Sequence, residues 1–180
     1  MGLGGDHEAV DPVDALMRMR DSAALWSVGY VTAAEVVGVA CDLLVAGYDG
    51  PALGRLAAVS LRRADEEVPE LLSAALRDVG LSLDERGSLG GEEAAVRALA
   101  IRVVAGSMPP RELARWVHWR FGHGTLELAE RLVELDDAYD CVGYTDVAEH
   151  DVDADVVAEV HRIVGGADAP SSSAGAGRAE

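Results

Sequence analysis

The side chains of this sequence that could do chemistry are concentrated between residues 110 and 140. His118 and His123 lie there, and a run of carboxylates that includes Asp136 follows them. Imidazole and carboxylate groups together could bind a transition metal or transfer protons. Zinc motifs on a helix place two histidines four residues apart on one face, whereas His118 and His123 are five apart with Gly122 between them. The spacing therefore predicts that the two histidines lie on different faces and that no metal is bound.

Two other patterns resemble sites without completing them. The series Asp151, Asp153 and Asp155 resembles the start of a calcium loop, but Val156 stands where that loop needs glycine. We expect these aspartates to charge the start of the last helix instead. The sequence also has no nucleophile elbow and no phosphate-binding glycine motif with its lysine. It therefore predicts no catalytic residues and no cofactor, and an enzyme is the less favoured class.

Arg120 lies within an apolar stripe of the helix that the sequence predicts for residues 110–121. A guanidinium on such a stripe needs a carboxylate partner if it is buried. Asp136 and Asp137 are the nearest plausible partners on the next predicted helix. We therefore predict a buried or half-buried ion pair between Arg120 and one of them.

Trp119 points away from that stripe, and two interpretations remain open. Exposed beside Arg115 and Glu112, it would suit the centre of an interface, where tryptophan is enriched. It could equally cover a neighbouring helix. We take Trp119 and Arg115, with Asp136, Asp137 and Asp140, as the candidate partner-binding residues.

The carboxylates after Arg131 form a dense run that no arginine interrupts before Arg162. Such a run is either a solvated face or a surface that steers a basic partner. Its members are Glu134, Asp136, Asp137, Asp140, Asp146, Glu149, Asp151, Asp153, Asp155 and Glu159.

The net charge is −17, and all the positive side chains are arginines because the sequence contains no lysine. This balance argues against nucleic acid and against anionic membranes, and it suits a basic protein partner. The start of the sequence shows no secretory signal pattern, so a cytoplasmic protein is expected. The two cysteines form no disulfide framework, and Cys41 is predicted to be a buried small hydrophobe.

Apolar residues recur at helical spacing along most of the chain. They predict an all-α, single-domain bundle of six to eight helices over residues 13–165, with a flexible start (1–12) and a disordered Ser/Gly/Ala-rich tail (166–180). Thr32 and Glu35 form a capping box, residues 81–91 are predicted as a loop, and Thr125 is predicted to cap the helix that follows Gly124.

One spacing recurs within the chain. Ala46-Gly47 precedes Pro51 and Ala105-Gly106 precedes Pro110 by the same step, each after an amphipathic helix and before two more. This indicates either a duplicated three-helix unit or the common use of glycine after helices and proline before them.

Three segments carry a resemblance to known proteins: residues 111–118, Gly122-His123, and residues 132–140. Together they resemble an uncharacterised family of small acidic helical proteins from high-GC Gram-positive bacteria, over roughly residues 32 to 164. The chain looks like the accessory proteins of such genomes, which include toxin-immunity proteins. That resemblance supplies no catalytic residues.

Two function classes follow from these observations. The leading hypothesis is a non-enzymatic acidic module, of immunity or antitoxin type, that docks a basic protein. The alternative is a small helical enzyme or metal-binding protein that uses His118, His123, Glu127 and Asp136. Clustering of those four side chains would favour the alternative, and dispersal would favour the module.

Overall fold

A computed structural model describes residues 11–144 and 146–166, and these residues are organised as α-helices. They confirm the predicted all-α class and contain eight α-helices and two short 3-10 turns, Leu61–Arg63 and Glu127–Ala129. The predicted flexible start and disordered tail fall largely outside the described residues. The helices are α1 (Pro12–Ser27), α2 (Ala33–Val45), α3 (Pro51–Ala57), α4 (Ala64–Asp78), α5 (Leu89–Val104), α6 (Pro110–Phe121), α7 (Glu130–Cys141) and α8 (Glu149–Gly165).

The chain divides into two compact units, residues 1–98 and 99–180, with the boundary inside α5. That a single domain spans residues 13–165 therefore stays a prediction. Among the described residues, no helix is both long and apolar enough to cross a membrane.

Helix α2 is central to the first unit and packs against α1, α3 and α4. The predicted capping box starts it: the Thr32 hydroxyl accepts the Glu35 N–H at 3.2 Å, and the Glu35 carboxylate accepts the Thr32 N–H at 2.7 Å. The prediction for Cys41 was wrong, because Cys41 is exposed and its thiol lies 3.4 Å from the carbonyl oxygen of Ala57.

The start of α3 depends on a carboxylate from a distant part of the sequence. Asp78 Oδ2, at the end of α4, accepts hydrogen bonds from the N–H groups of Ala52 at 2.7 Å and Leu53 at 3.0 Å. Helix α3 has seven residues, too few to be stable alone, so satisfying these end groups matters. A Cβ atom on Gly50 would lie 2.5 Å from Cβ of Asp78, so this close approach requires glycine.

Helix α5 begins earlier than the sequence predicted. Gly90 and Gly91, placed in the 81–91 loop by their residue type, lie within its first turn. Glycine in a first turn is less costly than in a helix interior, because fewer intrahelical hydrogen bonds depend on it.

In the second unit, α6, α7 and α8 pack against one another. Their facing sides are buried and apolar. Among the described residues, polar contacts tie α8 to the other helices: Arg111 donates to Glu149 at 3.0 Å, and the hydroxyl of the buried Tyr139 donates to Asp153. The chief core residues are Leu113, Val117, Phe121, Leu132, Leu135, Val152, Val156, Val160 and Ile163.

One carboxylate lies among the apolar residues of α8. Glu159 is 9% exposed, and the guanidinium of Arg162, one turn further on, donates two hydrogen bonds to it. A buried charge is tolerated only with such a partner.

The spacing that recurs in the sequence corresponds to the same order of elements in the structure. Gly47 (φ +92°) follows α2 and Gly106 (φ +71°) follows α5, and each precedes a helix that begins at a proline. The second helices differ in length, with seven residues in α3 and twelve in α6. Duplication stays a prediction.

We predict that Asp78→Ala lowers the free energy of unfolding by about 1 to 2 kcal/mol, because two helix-end N–H groups lose their acceptor. Gly50→Ala should lower it by roughly 1 to 3 kcal/mol through overlap with Asp78. Urea denaturation followed by circular dichroism measures both. Glu70→Ala is the matched control, since Glu70 is exposed on the same helix and forms no hydrogen bond within the described residues. Equal stability of Asp78→Ala and this control would contradict the capping role.

Candidate functional site

The turn between α6 and α7 folds the chain back on itself. Helix α6 ends at Phe121, as predicted, and the glycines on either side of His123 have positive φ values, +66° at Gly122 and +71° at Gly124. Residues other than glycine rarely adopt these backbone angles. The reversal brings the end of α6 and the turn against the start and middle of α7.

His118 faces α7 from the last turn of α6. Its Nδ1 atom lies 2.9 Å from Oδ2 of Asp136 and 3.6 Å from Oδ1 of Asp137. The imidazole is about one-third exposed, and the Asp136 carboxylate is more deeply covered than the Asp137 carboxylate. His118 therefore lies within reach of two neighbouring carboxylates.

His123, within the turn, is held by a carboxylate at each ring nitrogen. Its Nδ1 atom lies 3.1 Å from Oε1 of Glu130, and its Nε2 atom lies 3.0 Å from Oδ2 of Asp137. The rings of His118 and His123 approach to 5.3 Å between centroids. The prediction that their spacing separates them was wrong, because His123 is not on the helix and the glycine turn directs it back toward α7.

The side chain that holds this turn is Glu130 and not Thr125. Oε2 of Glu130 accepts the N–H of Gly124 at 2.6 Å, while Oε1 of Glu130 contacts His123. The predicted cap at Thr125 was wrong, since α7 begins at Glu130 after a 3-10 turn, and its N-cap residue is Ala129, without a side-chain cap. The Glu130 carboxylate holds the preceding turn and does not cap the helix.

These contacts shift two pKa values in opposite directions. The pKa of His123 is raised from its usual 6.5, chiefly by the hydrogen bond to Glu130 and further by Asp137, although desolvation opposes the shift. The pKa of Glu130 is lowered from its usual 4.5, first by the Gly124 N–H and then by His123. The pair is therefore stabilised as imidazolium and carboxylate.

The four residues of the alternative hypothesis do not all meet. His118, His123 and Asp136 gather at the hairpin with Asp137, whereas Glu127 is exposed and Glu130 stands beside His123 in its place. The sequence analysis missed Glu130, because its separation of seven residues from His123 gives no sign that the two side chains meet at the turn. Knowing that glycines reverse the chain at residues 122–124 would have suggested it.

Arg120 is half-buried on α6, and its guanidinium lies 5.1 Å from the centre of the Phe121 ring. Asp136 contacts His118, with its Oδ2 atom 2.9 Å from Nδ1 of the imidazole. The ion pair of Arg120 with Asp136 or Asp137 stays a prediction.

The candidate partner-binding residues of α6 are on its solvent side. Trp119 is 82% exposed, so it does not cover a neighbouring helix of the described residues, and Arg115 and Glu112 are exposed on the same face. Asp140, on α7, is exposed as well.

Most of the acidic run is paired within the protein. Seven of its ten carboxylates contact a side chain or a helix end, including Glu134 with Arg131 and Glu149 with Arg111. Asp151 accepts the N–H of Ala148 at 3.1 Å, in line with the predicted role at the start of α8. Within the described residues, the exposed members outside such contacts are Asp140, Asp146 and Asp155.

Tyr139 was not anticipated as part of this region. It is buried, with the Arg111 guanidinium 5.2 Å from its ring centre. Burial first, and then the hydrogen bond to Asp153, raise the pKa of its phenol. It joins α7 to α8 as a neutral donor.

Comparison of the chain with protein-family models, with curated proteins and with solved structures finds no match in any of the three. The candidate functions therefore depend on the geometry. Imidazole–carboxylate clusters can transfer protons or bind a cation.

We predict that His123 titrates above pH 6.5 in metal-free protein and that Glu130→Gln lowers its pKa, because the largest raising contact is lost. A raised histidine pKa contributes stability that is full below pH 6.5 and is lost as pH rises through the folded-state pKa. The lowered Glu130 pKa contributes stability above pH 4.5 that is lost as pH falls through its own folded-state value. The pair should thus contribute most between these two pH values.

Imidazole chemical shifts followed against pH by nuclear magnetic resonance measure this effect. Glu127→Gln is the matched control, since it removes the same charge from an exposed position nearby. An equal shift of the His123 pKa in both variants would indicate a general charge effect, and the specific Glu130 contact would be rejected.

Proposed function

We propose that the protein is a non-enzymatic binding module that docks a basic protein partner, in the manner of an immunity or antitoxin protein. The observation that carries the proposal is the 82% exposure of Trp119 on α6. Trp119 and its exposed neighbours Glu112 and Arg115 on the same side of α6 form what we call the docking face, and the exposed Asp140 on α7 is a further candidate residue.

Trp119 differs from the other two tryptophans in its exposure. Trp26 and Trp116 are both half-buried; Arg86 stacks 4.2 Å above the ring of Trp26, and Trp116 meets Phe121 edge to face. Leaving a large aromatic side chain in water forgoes the favourable free energy of burying it, which for large apolar side chains is about 2 kcal/mol. A partner surface would recover that free energy, and tryptophan is among the residues most enriched at the centres of interfaces.

The charge of the chain indicates the chemistry of the partner. A net charge of −17 attracts a basic protein over long distances and raises its association rate. The carboxylates best suited to this role are Asp140, Asp146 and Asp155, because they are exposed and form no hydrogen bond or close ion pair within the described residues. Asp136 and Asp137, engaged by imidazoles, contribute less.

One observation favours the second class of function. His118, His123 and Asp137 present ligand atoms that all lie within 4.8 Å of one another, a spacing that suits a metal ion. Both properties could belong to one protein, since Trp119 and His118 are neighbours in sequence but project from different sides of α6.

We predict that Trp119→Ala weakens binding of the partner mainly by accelerating dissociation, since a buried aromatic acts after encounter. A loss of about 2 kcal/mol, or roughly thirtyfold in affinity, is typical of such an anchor. The partner is first identified by capture from the native host and then measured by surface plasmon resonance. Leu61→Ala, which truncates an exposed apolar side chain of the first unit, is the control. A wild-type dissociation rate in Trp119→Ala would move the docking face elsewhere.

A second variant tests the electrostatic part of the proposal. Neutralising Asp140, Asp146 and Asp155 together to asparagine should slow association, and the difference from wild type should shrink as the salt concentration rises. Neutralising three exposed acids of α4, Asp65, Glu66 and Glu70, provides a control of equal charge. If both triple variants slow association equally, the net charge matters and the position does not; association independent of salt would contradict the role of charge.

A further inference from the structure

We propose that His118, His123 and Asp137 form a binding site for a divalent transition-metal cation of the zinc type, with Asp136 at hand as a fourth ligand. We call these four residues, with Glu130 behind His123, the hairpin cluster. The inference goes beyond the docking function and does not depend on it.

The distances within the hairpin cluster suit a small cation. Zinc binds nitrogen and oxygen ligands at about 2.0 to 2.2 Å, so neighbouring ligand atoms of a tetrahedral site lie roughly 3.3 Å apart. Oδ2 of Asp137 lies 3.0 Å from Nε2 of His123, and Oδ1 of Asp137 lies 3.6 Å from Nδ1 of His118. Each oxygen of Asp137 thus lies close to one of the two histidines, and movement of the side chains would bring the ligand atoms, which all lie within 4.8 Å of one another, to coordination distances.

A second, independent observation concerns the orientation of His123. Metal-binding histidines usually donate their other ring N–H to a carboxylate or carbonyl, which fixes the tautomer and the ring plane. Glu130 occupies that position at Nδ1, and the N–H of Gly124 in turn fixes Glu130. Nε2 is thereby left facing Asp137 and the centre of the cluster, where a ligand atom is needed.

The mixed ligand set indicates the kind of cation. Imidazole nitrogens suit zinc, copper, nickel and cobalt, whereas magnesium and calcium prefer sites made of oxygen ligands. Two imidazoles and two carboxylates give a site with no net charge once a divalent cation is bound. The cation would bridge α6, the turn and α7, and binding it to the folded chain alone would stabilise the fold.

The competing interpretation of the same contacts is an ion-pair network without metal. There His123, as an imidazolium, bridges Glu130 and Asp137, and His118 hydrogen-bonds Asp136. The two interpretations make opposite predictions for added metal. An ion-pair network should bind no zinc at neutral pH, whereas a metal site should bind it stoichiometrically.

The experiment uses the full chain, stripped with a chelator and then titrated with Zn²⁺ by calorimetry and with Co²⁺ by visible absorption near neutral pH. We expect one metal ion per chain, a Co²⁺ spectrum of a four-coordinate or five-coordinate site with nitrogen ligands, and a melting temperature that rises with Zn²⁺ concentration. Ca²⁺ and Mg²⁺ should give none of these effects. Absence of stoichiometric Zn²⁺ binding, or equal binding of Mg²⁺, would overturn the proposal and leave the ion-pair network.

Variants assign the binding to the hairpin cluster. His123→Ala and Asp137→Asn should weaken Zn²⁺ binding at least a hundredfold, and Glu130→Gln about ten- to a hundredfold, as loss of an outer carboxylate does. His161→Ala, which removes an exposed histidine of α8, is the matched control and should bind as wild type. The result for His118→Ala is used only if the circular dichroism spectrum of that variant is native. His123→Ala replaces an exposed side chain, so its result tests the site even if His118→Ala does not fold. Undiminished binding in His123→Ala would refute the site.

The result is separable from the docking function. Trp119→Ala should bind Zn²⁺ as wild type, because the indole is not among the ligands. Failure of metal binding would therefore leave the docking face untouched, and failure of docking would leave the metal site untouched.

Discussion

The reversal of the chain at Gly122-His123-Gly124 is the constraint on which the contacts between α6, the turn and α7 depend. Two glycines with positive φ, one on either side of His123, end α6 and return the chain along it, and Glu130 closes the turn by accepting the Gly124 N–H. Every polar contact of the hairpin cluster depends on this path. With α6 continued past Phe121, His123 would project along a helix face, far from the carboxylate of Asp137.

The electrostatics of the protein operate on two length scales. At short range, most carboxylates after Arg131 form hydrogen bonds or ion pairs within the protein, with N–H groups at helix ends or with arginine, histidine and tyrosine side chains. At long range the net charge still dominates, because pairing a few acids with arginine leaves an excess of seventeen negative charges. Local pairing determines which acids are rigid, whereas the excess determines which partners are attracted.

Local signals in the sequence predicted the helices well and the relations between them poorly. The limits of α6 and the Thr32–Glu35 capping box depend on residues a few positions apart, so periodicity and capping chemistry suffice. The Asp78 cap on α3 joins residues about 25 positions apart, and no pattern in a single sequence indicates such a partner. Cys41 was misplaced because an apolar helical run does not show which side will be covered.

The candidate site was predictable in composition and not in geometry. Residue types alone identified His118, His123, Asp136 and Asp137 as the chemistry-bearing group. Helical spacing then separated the two histidines, because it assumed that both belong to helices. Glu127 and Glu130 are equivalent by type, and only the position of the turn decides which one contacts His123.

The hydrogen bond between Tyr139 and Asp153 restricts how α8 can move. The inner face of α8 is lined by valines at similar spacing, Val152, Val156 and Val160, which could pack almost as well after a shift of one turn along the helix axis. The hydrogen bond removes that freedom, since a shift of α8 would carry Asp153 away from the buried hydroxyl of Tyr139 on α7 and would also separate Glu149 from Arg111. The two contacts therefore keep α8 in a single alignment against α6 and α7 where apolar packing alone would allow several.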